Sequence, residues 1–373
     1  MPLTLPRTRR LLEDGIADGL HLGAQVYVSL GAGSGRKETA GFAIGERAPG
    51  QAMDEQTLNI WLSSTKPITA VALCLLWQRG ELELDDTVVR FVPEFAAHGK
   101  DRITLRHLLT HTAGIRMLNI GWPEASWREI VDGISGRRPE PRWIPGEKAG
   151  YHMASSWFVL GEVIARVAGE PFSDFVRREV LEPCGMRQSW IGMPQEIFDR
   201  SVDRLGRMYS TEKERFERRW HEAPSVVGSS PGGNGRGPIR ELGLFYEMLL
   251  RRGVTDSGDR LLTPQTVEAM TTPDRVGLLD HTFKQKLDWG LGFIVDSKHY
   301  GEESVAYGYG PHASRRTFGH SGYRSSTGFA DPEHDLVVAL FVNGQPSDRV
   351  HGERFDALTA AIYVDLGLAE GGT

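Results

Sequence analysis

Strand signals at both ends of this 373-residue chain, with helix signals between them, constrain the fold more tightly than any other feature of the sequence. GAQVYVSLGAG followed by RKETAGFAIG reads as two strands joined by a glycine-rich turn, a hairpin with one buried face that begins near Ala24. From Pro67 to about Val180 the period is helical: ITAVALCLLWQRG and SSWFVLGEVIARVAG carry apolar residues at helix spacing and stop at Gly80 and Gly169. Aromatic and β-branched runs return after Trp289 as LGFIVD, STGFAD and LVVALFVNG, the last two separated by the turn-like PEHD. A chain with this order is expected to be α+β. A sheet domain assembled from both termini, residues 1–62 and 239–373, would carry an inserted, mainly helical domain, residues 63–238, with the active cleft between them.

Composition narrows the function classes. The net charge is -6, and no run of lysine and arginine is long enough to track a phosphate backbone, so no nucleic-acid partner is expected. The opening MPLTLPRTRRLLEDG places charges where a signal peptide needs an apolar segment, and no stretch reaches the roughly 18 apolar residues that span a bilayer. The expectation is a cytoplasmic protein without a membrane partner. Cys74 and Cys184 both lie beside apolar residues and read as buried free thiols. The stretch GSSPGGNGRGP, Gly228 to Pro238, fits neither G-x-G-x-x-G nor G-x-x-x-x-G-K-[ST], and H-E-x-x-H, C-x-x-C and EF-hand patterns are absent from the sequence. Neither a metal nor a cofactor is expected.

S-x-x-K occurs twice, as Ser63-Ser64-Thr65-Lys66 and as Ser210-Thr211-Glu212-Lys213, where about one chance occurrence is expected in a chain of this length. Context separates the copies. Ser210 opens the charged stretch STEKERFERRW, in which Lys213 would simply be hydrated. Ser63 follows the apolar NIWL and precedes an apolar helix whose Pro67 is tolerable in the first turn. That puts Ser63 at a buried helix N-terminus, with Lys66 on the same face. A serine hydroxyl becomes a nucleophile when a base takes its proton, and a lysine can be that base once burial or a nearby cation lowers its pKa. Taken alone, the pair also fits an N-cap serine beside a lysine whose stem covers apolar surface.

With these residues in hand, the sequence resembles the β-lactamase-related family, which includes class C β-lactamases, D-alanyl-D-alanine peptidases, family VIII serine esterases and some transacylases of natural-product biosynthesis. The resemblance runs from about Ala24 to Gly344 through six segments in the family's order: SSTK, GELELDDTVVRFVPEF, ITLRHLLTHTAGI, PFSDFVRREVLEPCGM, WGLGF and GHSG. It implies a β-lactamase/transpeptidase-like fold, an antiparallel sheet flanked by helices, and chemistry through an acyl-Ser63 intermediate. It also implies that Tyr151, in Gly150-Tyr151-His152-Met153, stands near Lys66 and relays the Ser63 proton to the leaving group. The oxyanion hole would be the backbone N–H groups of Ser63 and Tyr323, and His320-Ser321-Gly322 the strand edging the site.

Two positions depart from the family's pattern. Met153 stands where Y-x-N has an asparagine that helps hold a substrate amide, with His152 or Ser155 as candidates to replace it. His320 stands where K-T-G has lysine, and an imidazole with its ordinary pKa near 6.5 is mostly neutral at pH 7 and grips a carboxylate poorly. Arg324 is the candidate for the missing charge, although an exposed strand arginine is the other reading. Trp122, with Trp127 and Trp143, is a candidate wall of the acyl or leaving-group pocket. His107 and His111, four apart, and Asp85 and Asp86 are read as structural. The expected function is a serine hydrolase or acyltransferase acting on a small-molecule ester or amide, esterase favoured, with water or an amine or alcohol as acceptor. The alternatives are a transacylase, a β-lactamase or D-alanyl peptidase, and an inactive binding protein of the same fold. Oligomeric state stays open.

Overall fold

Glycines end the two central helices where the sequence places the stops. Lys66–Gln78 gives way to Gly80 at φ +74°, and Ser155–Ala168 is closed by Gly169 at φ +70°, a left-handed conformation that a Cβ disfavours. These elements are seen in a computed structural model that describes residues 3–116, 118, 120–213, 215–301 and 308–370. The hairpin is also present, as Gly23–Leu30 paired antiparallel with Glu38–Ala48.

An eight-stranded antiparallel sheet runs, edge to edge, Asp288–Trp289, Ile294–Val295, Phe318–Gly322, Ser326–Asp331, Leu336–Val342, Gly23–Leu30, Glu38–Ala48 and Gln51–Ala52. The two ends of the chain meet in the register Val26↔Leu340. Strand alternation sorts the side chains between two cores. Val26, Val28, Val338 and Leu340 pack under Leu12, Phe355, Leu358 and Ile362, which belong to the helices Pro6–Ala17 and Asp348–Asp365. Tyr27, Ala339 and Phe341 face the other way, onto Leu242 and Phe245 of Ile239–Leu250. That second core continues without a break to Leu73, Leu108 and Phe158 of the helical middle. An antiparallel sheet flanked by helices is the arrangement that the resemblance implied.

LGFIVD contributes only Ile294–Val295 as strand. Gly292, at φ +84°, turns the chain against the Lys66–Gln78 helix, where a Cβ would lie 2.4 Å from that of Ala70. The second S-x-x-K copy is split, because Ser210 ends the strand Met208–Ser210 and is buried whereas Lys213 is exposed. Both cysteines are buried and free. Among the described residues, no helix is long and apolar enough to cross a membrane.

Candidate active site

Ser63 occupies a single 3₁₀ turn, Leu62–Thr65, which runs directly into the Lys66–Gln78 helix, so it stands at a helix N-terminus. Leu62 enters this turn at φ +49°, backbone that non-glycine residues adopt at a cost of order 1–3 kcal/mol and hold only when the surroundings fix it. Those surroundings are visible. Ser64 Oγ lies 3.0 Å from both the His320 carbonyl and Ser326 Oγ, and Ser326 Oγ donates to the Trp61 carbonyl at 2.7 Å. The turn is thereby fastened to the strand Phe318–Gly322. A Cβ on Gly322 would sit 2.2 Å from the Trp61 carbonyl oxygen and 3.1 Å from Leu62 Cβ, so a side chain here would force the strand away from Ser63. Beside this contact stand the N–H groups of Ser63 and Tyr323, and among the described residues neither donates to a main-chain acceptor. Gly322→Ala is therefore expected to slow acylation by about 100-fold or more, the scale of losing one oxyanion donor. Stopped-flow measurement of the acylation burst checks this.

Lys66 is fully buried, and burial holds its amine well below the usual lysine range. Its Nζ lies 2.9 Å from Ser63 Oγ, 2.9 Å from the Met153 carbonyl and 2.7 Å from the Gly232 carbonyl, and no carboxylate among the described residues forms an ion pair with it. Once deprotonated, the amine can keep its two N–H bonds to the carbonyls and turn its lone pair to the Ser63 hydroxyl. The rings of Tyr151 and Trp157, with centroids 5.1 and 5.6 Å from Nζ, offer π faces to the ammonium once the proton arrives.

Tyr151 is buried, and its backbone N–H donates to Asp280 Oδ1 at 3.1 Å. The same carboxylate accepts from the N–H groups of Thr282 and Phe283 and pairs with the buried Arg275, which donates in turn to the Thr110 carbonyl. The ring lies 4.8 Å from that of His111, 4.9 Å from Phe283 and 6.0 Å from His320, centroid to centroid. Ser63, Lys66, Tyr151 and His320 are thus brought together. Sequence patterns do not point to the Arg275–Asp280 pair, nor to the carbonyls of Met153 and Gly232, because backbone acceptors carry no side-chain signature. The glycine-rich stretch around Gly232 was the one available hint. A Cβ on Gly232 would lie 2.7 Å from the Trp157 ring.

Several candidates lie differently from the expectation. His152 Nε2 accepts from the Ile115 N–H at 3.3 Å, so Nδ1 carries the proton and donates to Ser156 Oγ at 2.6 Å. Both ring nitrogens are taken, and burial pushes the imidazole down to about 3. Ser155 Oγ donates to the Ile115 carbonyl. Neither residue is therefore placed to replace the missing asparagine, and Met153 keeps its side chain 55% exposed at that position. His320 is held down to about 3 by burial and by the nearby Lys66 charge, and Nδ1–H donates to the Ser321 carbonyl at 2.8 Å. Ser321 Oγ donates to Thr327 Oγ1. Arg324 does not turn to the site: it pairs with Asp348 at 2.6 Å and Glu212 at 2.9 Å. His107 and His111 do not share a helix face, because the helix ends at Leu109; His107 instead accepts the Thr104 N–H in a capping box. Asp86 accepts the Glu83 N–H and Asp85 pairs with Arg106, local roles as expected. The three tryptophans do not make one wall: Trp122 and Trp127 line a crevice apart from Ser63, whereas Trp143 lies against His281.

The neutral histidines make the fold sensitive to acid. His152 and His320 stay unprotonated down to about pH 3 in the native state, while an unfolded histidine takes up its proton near 6.5. Between those values the unfolded chain binds more protons, so stability is fully present above pH 6.5 and falls as the pH drops through this window. Each such histidine contributes about 1.4 kcal/mol per pH unit there. Urea unfolding at pH 7 and pH 5 is expected to show a lower midpoint in acid.

The β-lactamase family model, described as Beta-lactamase, matches residues 8–361. The chain belongs to the beta-lactamase family. Proteins similar to the chain include "Esterase/beta-lactamase LipL" of Mycobacterium tuberculosis, 25% identical over 312 residues that span 75% of this chain and 68% of that protein. Another is "Esterase EstB" of Burkholderia gladioli, 35% identical over 162 residues, 39% of this chain and 41% of that protein. Among solved structures, a penicillin-binding protein homolog from Caulobacter crescentus superposes with a TM-score of 0.77 at 26% identity, covering 97% of both chains. Family membership and esterase relatives make the chain a serine hydrolase or transacylase. The expectation drawn from SSTK and GHSG about family and fold therefore holds.

Proposed function

We propose that this chain is a serine esterase that cleaves a neutral small-molecule ester through an acyl-Ser63 intermediate. The observation that carries this reading is the Lys66 amine, buried without a carboxylate partner among the described residues and 2.9 Å from Ser63 Oγ. Lys66 takes the Ser63 proton as Oγ adds to the ester carbonyl. The N–H groups of Ser63 and Tyr323 hold the resulting oxyanion. The proton then passes, with Tyr151 beside Lys66, to the departing alkoxide, and water repeats the sequence to release the acid. Preference for an uncharged substrate follows from the cations: His320 is neutral, and Arg324 is spent on Asp348 and Glu212. Nothing then repays the desolvation of a substrate carboxylate at this strand.

Assays with p-nitrophenyl butyrate and with a carboxylate-bearing chromogenic cephalosporin test the reading. Turnover of the ester at a kcat/KM at least 100-fold above that for the cephalosporin is expected, and the reverse order would overturn it. Product analysis in the presence of an added alcohol or amine identifies the acceptor. Free acid is the expected product, and dominant formation of the exchanged ester or amide would make the enzyme a transacylase.

A further inference from the structure

A crevice of about 1070 Å³ opens in the helical half, and none of Ser63, Lys66, Tyr151 or residues 320–323 lines it. Its apolar surface comes from Trp122, Trp127, Ile130, Phe172 and Val227. Ala165 and Gly169 also line it, at the far end of the Ser155–Ala168 helix from Ser155. With 14 residues that helix is about 20 Å long, so the crevice extends well away from the nucleophile. Small-molecule sites commonly enclose roughly 300–1,000 Å³, and this crevice lies just above that range.

The walls are preformed. Trp127 stacks on Phe172 with ring centroids 5.9 Å apart and donates its Nε1–H to Glu162 at 2.6 Å, so the indole is fixed in place and brings no free polar atom. Arg166 and Glu170 at the rim are already in ion pairs. Arg166 is held by Glu94 and Glu162, Glu170 by Arg178, and Glu129 accepts from the N–H and hydroxyl of Ser126. The remaining ionisable residue of the lining, Glu124, repels an anion.

We propose that this crevice is a second ligand site, distinct from the acyl site, for a neutral and largely apolar small molecule. Burial of apolar ligand surface against two indoles and Phe172 supplies the affinity, and with Arg166 already paired the rim offers no counter-charge to an anionic ligand.

Two fluorophores with the same ring frame test this directly: neutral N-phenyl-1-naphthylamine and its anionic sulfonate, 1-anilinonaphthalene-8-sulfonate. The neutral probe is expected to bind saturably at one site, at least tenfold more tightly than the anion. Prior reaction of Ser63 with a fluorophosphonate should change its affinity less than twofold. Ala165→Trp, which fills the crevice, and Val227→Glu, which puts an unpaired carboxylate in its wall, should each weaken it at least tenfold while leaving the labelling rate of Ser63 within twofold. Absence of saturable binding overturns the proposal, as does tighter binding of the anion or unchanged affinity in both variants. Displacement of the neutral probe by the Ser63 adduct overturns it too, by making the crevice part of the acyl site. The probe titration needs no turnover, so its outcome is separate from that of the esterase reading.

Discussion

Ser63→Ala is expected to lower kcat/KM for p-nitrophenyl butyrate by on the order of 10⁵-fold, leaving only the rate enhancement that binding and the oxyanion donors supply without a nucleophile. The hydroxyl bonds to Lys66 Nζ, and Ser63 is only partly buried, so its loss should leave the fold intact. The turn stays fastened through Ser64 and Ser326, which do not depend on the Ser63 hydroxyl. Steady-state kinetics and thermal unfolding of the same sample separate the two effects: activity should vanish while the melting temperature moves by no more than a few degrees. Retained activity above a hundredth of wild type would place the nucleophile elsewhere.

Lys66→Met should be nearly as damaging for a different reason. Methionine fills a similar volume but can neither accept the Ser63 proton nor donate to the Met153 and Gly232 carbonyls. General-base catalysis by a positioned side chain is worth roughly 10²–10⁴-fold, and acylation should fall toward the upper end of that range because Lys66 Nζ lies against Ser63 Oγ itself, at 2.9 Å. The pH dependence gives the more specific signature. Burial lowers the Lys66 pKa in the native state, so wild-type acylation should rise with pH as the amine loses its proton, and this limb should be missing in the variant. Stability follows the same linkage. Above the native pKa and below about 10.4, the unfolded chain holds a proton that the folded chain lacks, so wild-type stability rises with pH across that window. The methionine variant should lose this rise.

Much of the fold was legible because its signals are local. Gly80 and Gly169 stop helices through their own backbone conformation, and the hairpin from Gly23 to Ala48 announces itself by strand composition around a glycine-rich turn. The first and last helices were not read. Pro6–Ala17 buries only Thr8, Leu12 and Gly15, and the stripe of Asp348–Asp365 mixes His351 and Thr359 with Phe355, Leu358 and Ile362. Both depend on the sheet face they cover rather than on their own pattern.

At the site the limits are similar. The spacing of Ser63 and Lys66 makes their contact readable, and the resemblance supplies Tyr151 and the 320–322 strand. What lowers the Lys66 pKa is not in any motif: it is complete burial, between segments about 80 residues apart that carry Met153 and Gly232, with no carboxylate within ion-pair reach among the described residues. Likewise His152 and Arg324 look available in sequence, and only the fold shows them committed to Ile115 and Ser156, and to Asp348 and Glu212.

The central claim, that the Leu62–Thr65 turn delivers Ser63 to the buried Lys66, is tested most directly by mapping a covalent adduct. After reaction with a fluorophosphonate at pH 8, peptide mass spectrometry should find one modified residue, Ser63, and no adduct should form on Ser63→Ala. A label on Ser64, Ser210 or any other residue, or an adduct that persists in the Ser63→Ala protein, would contradict it.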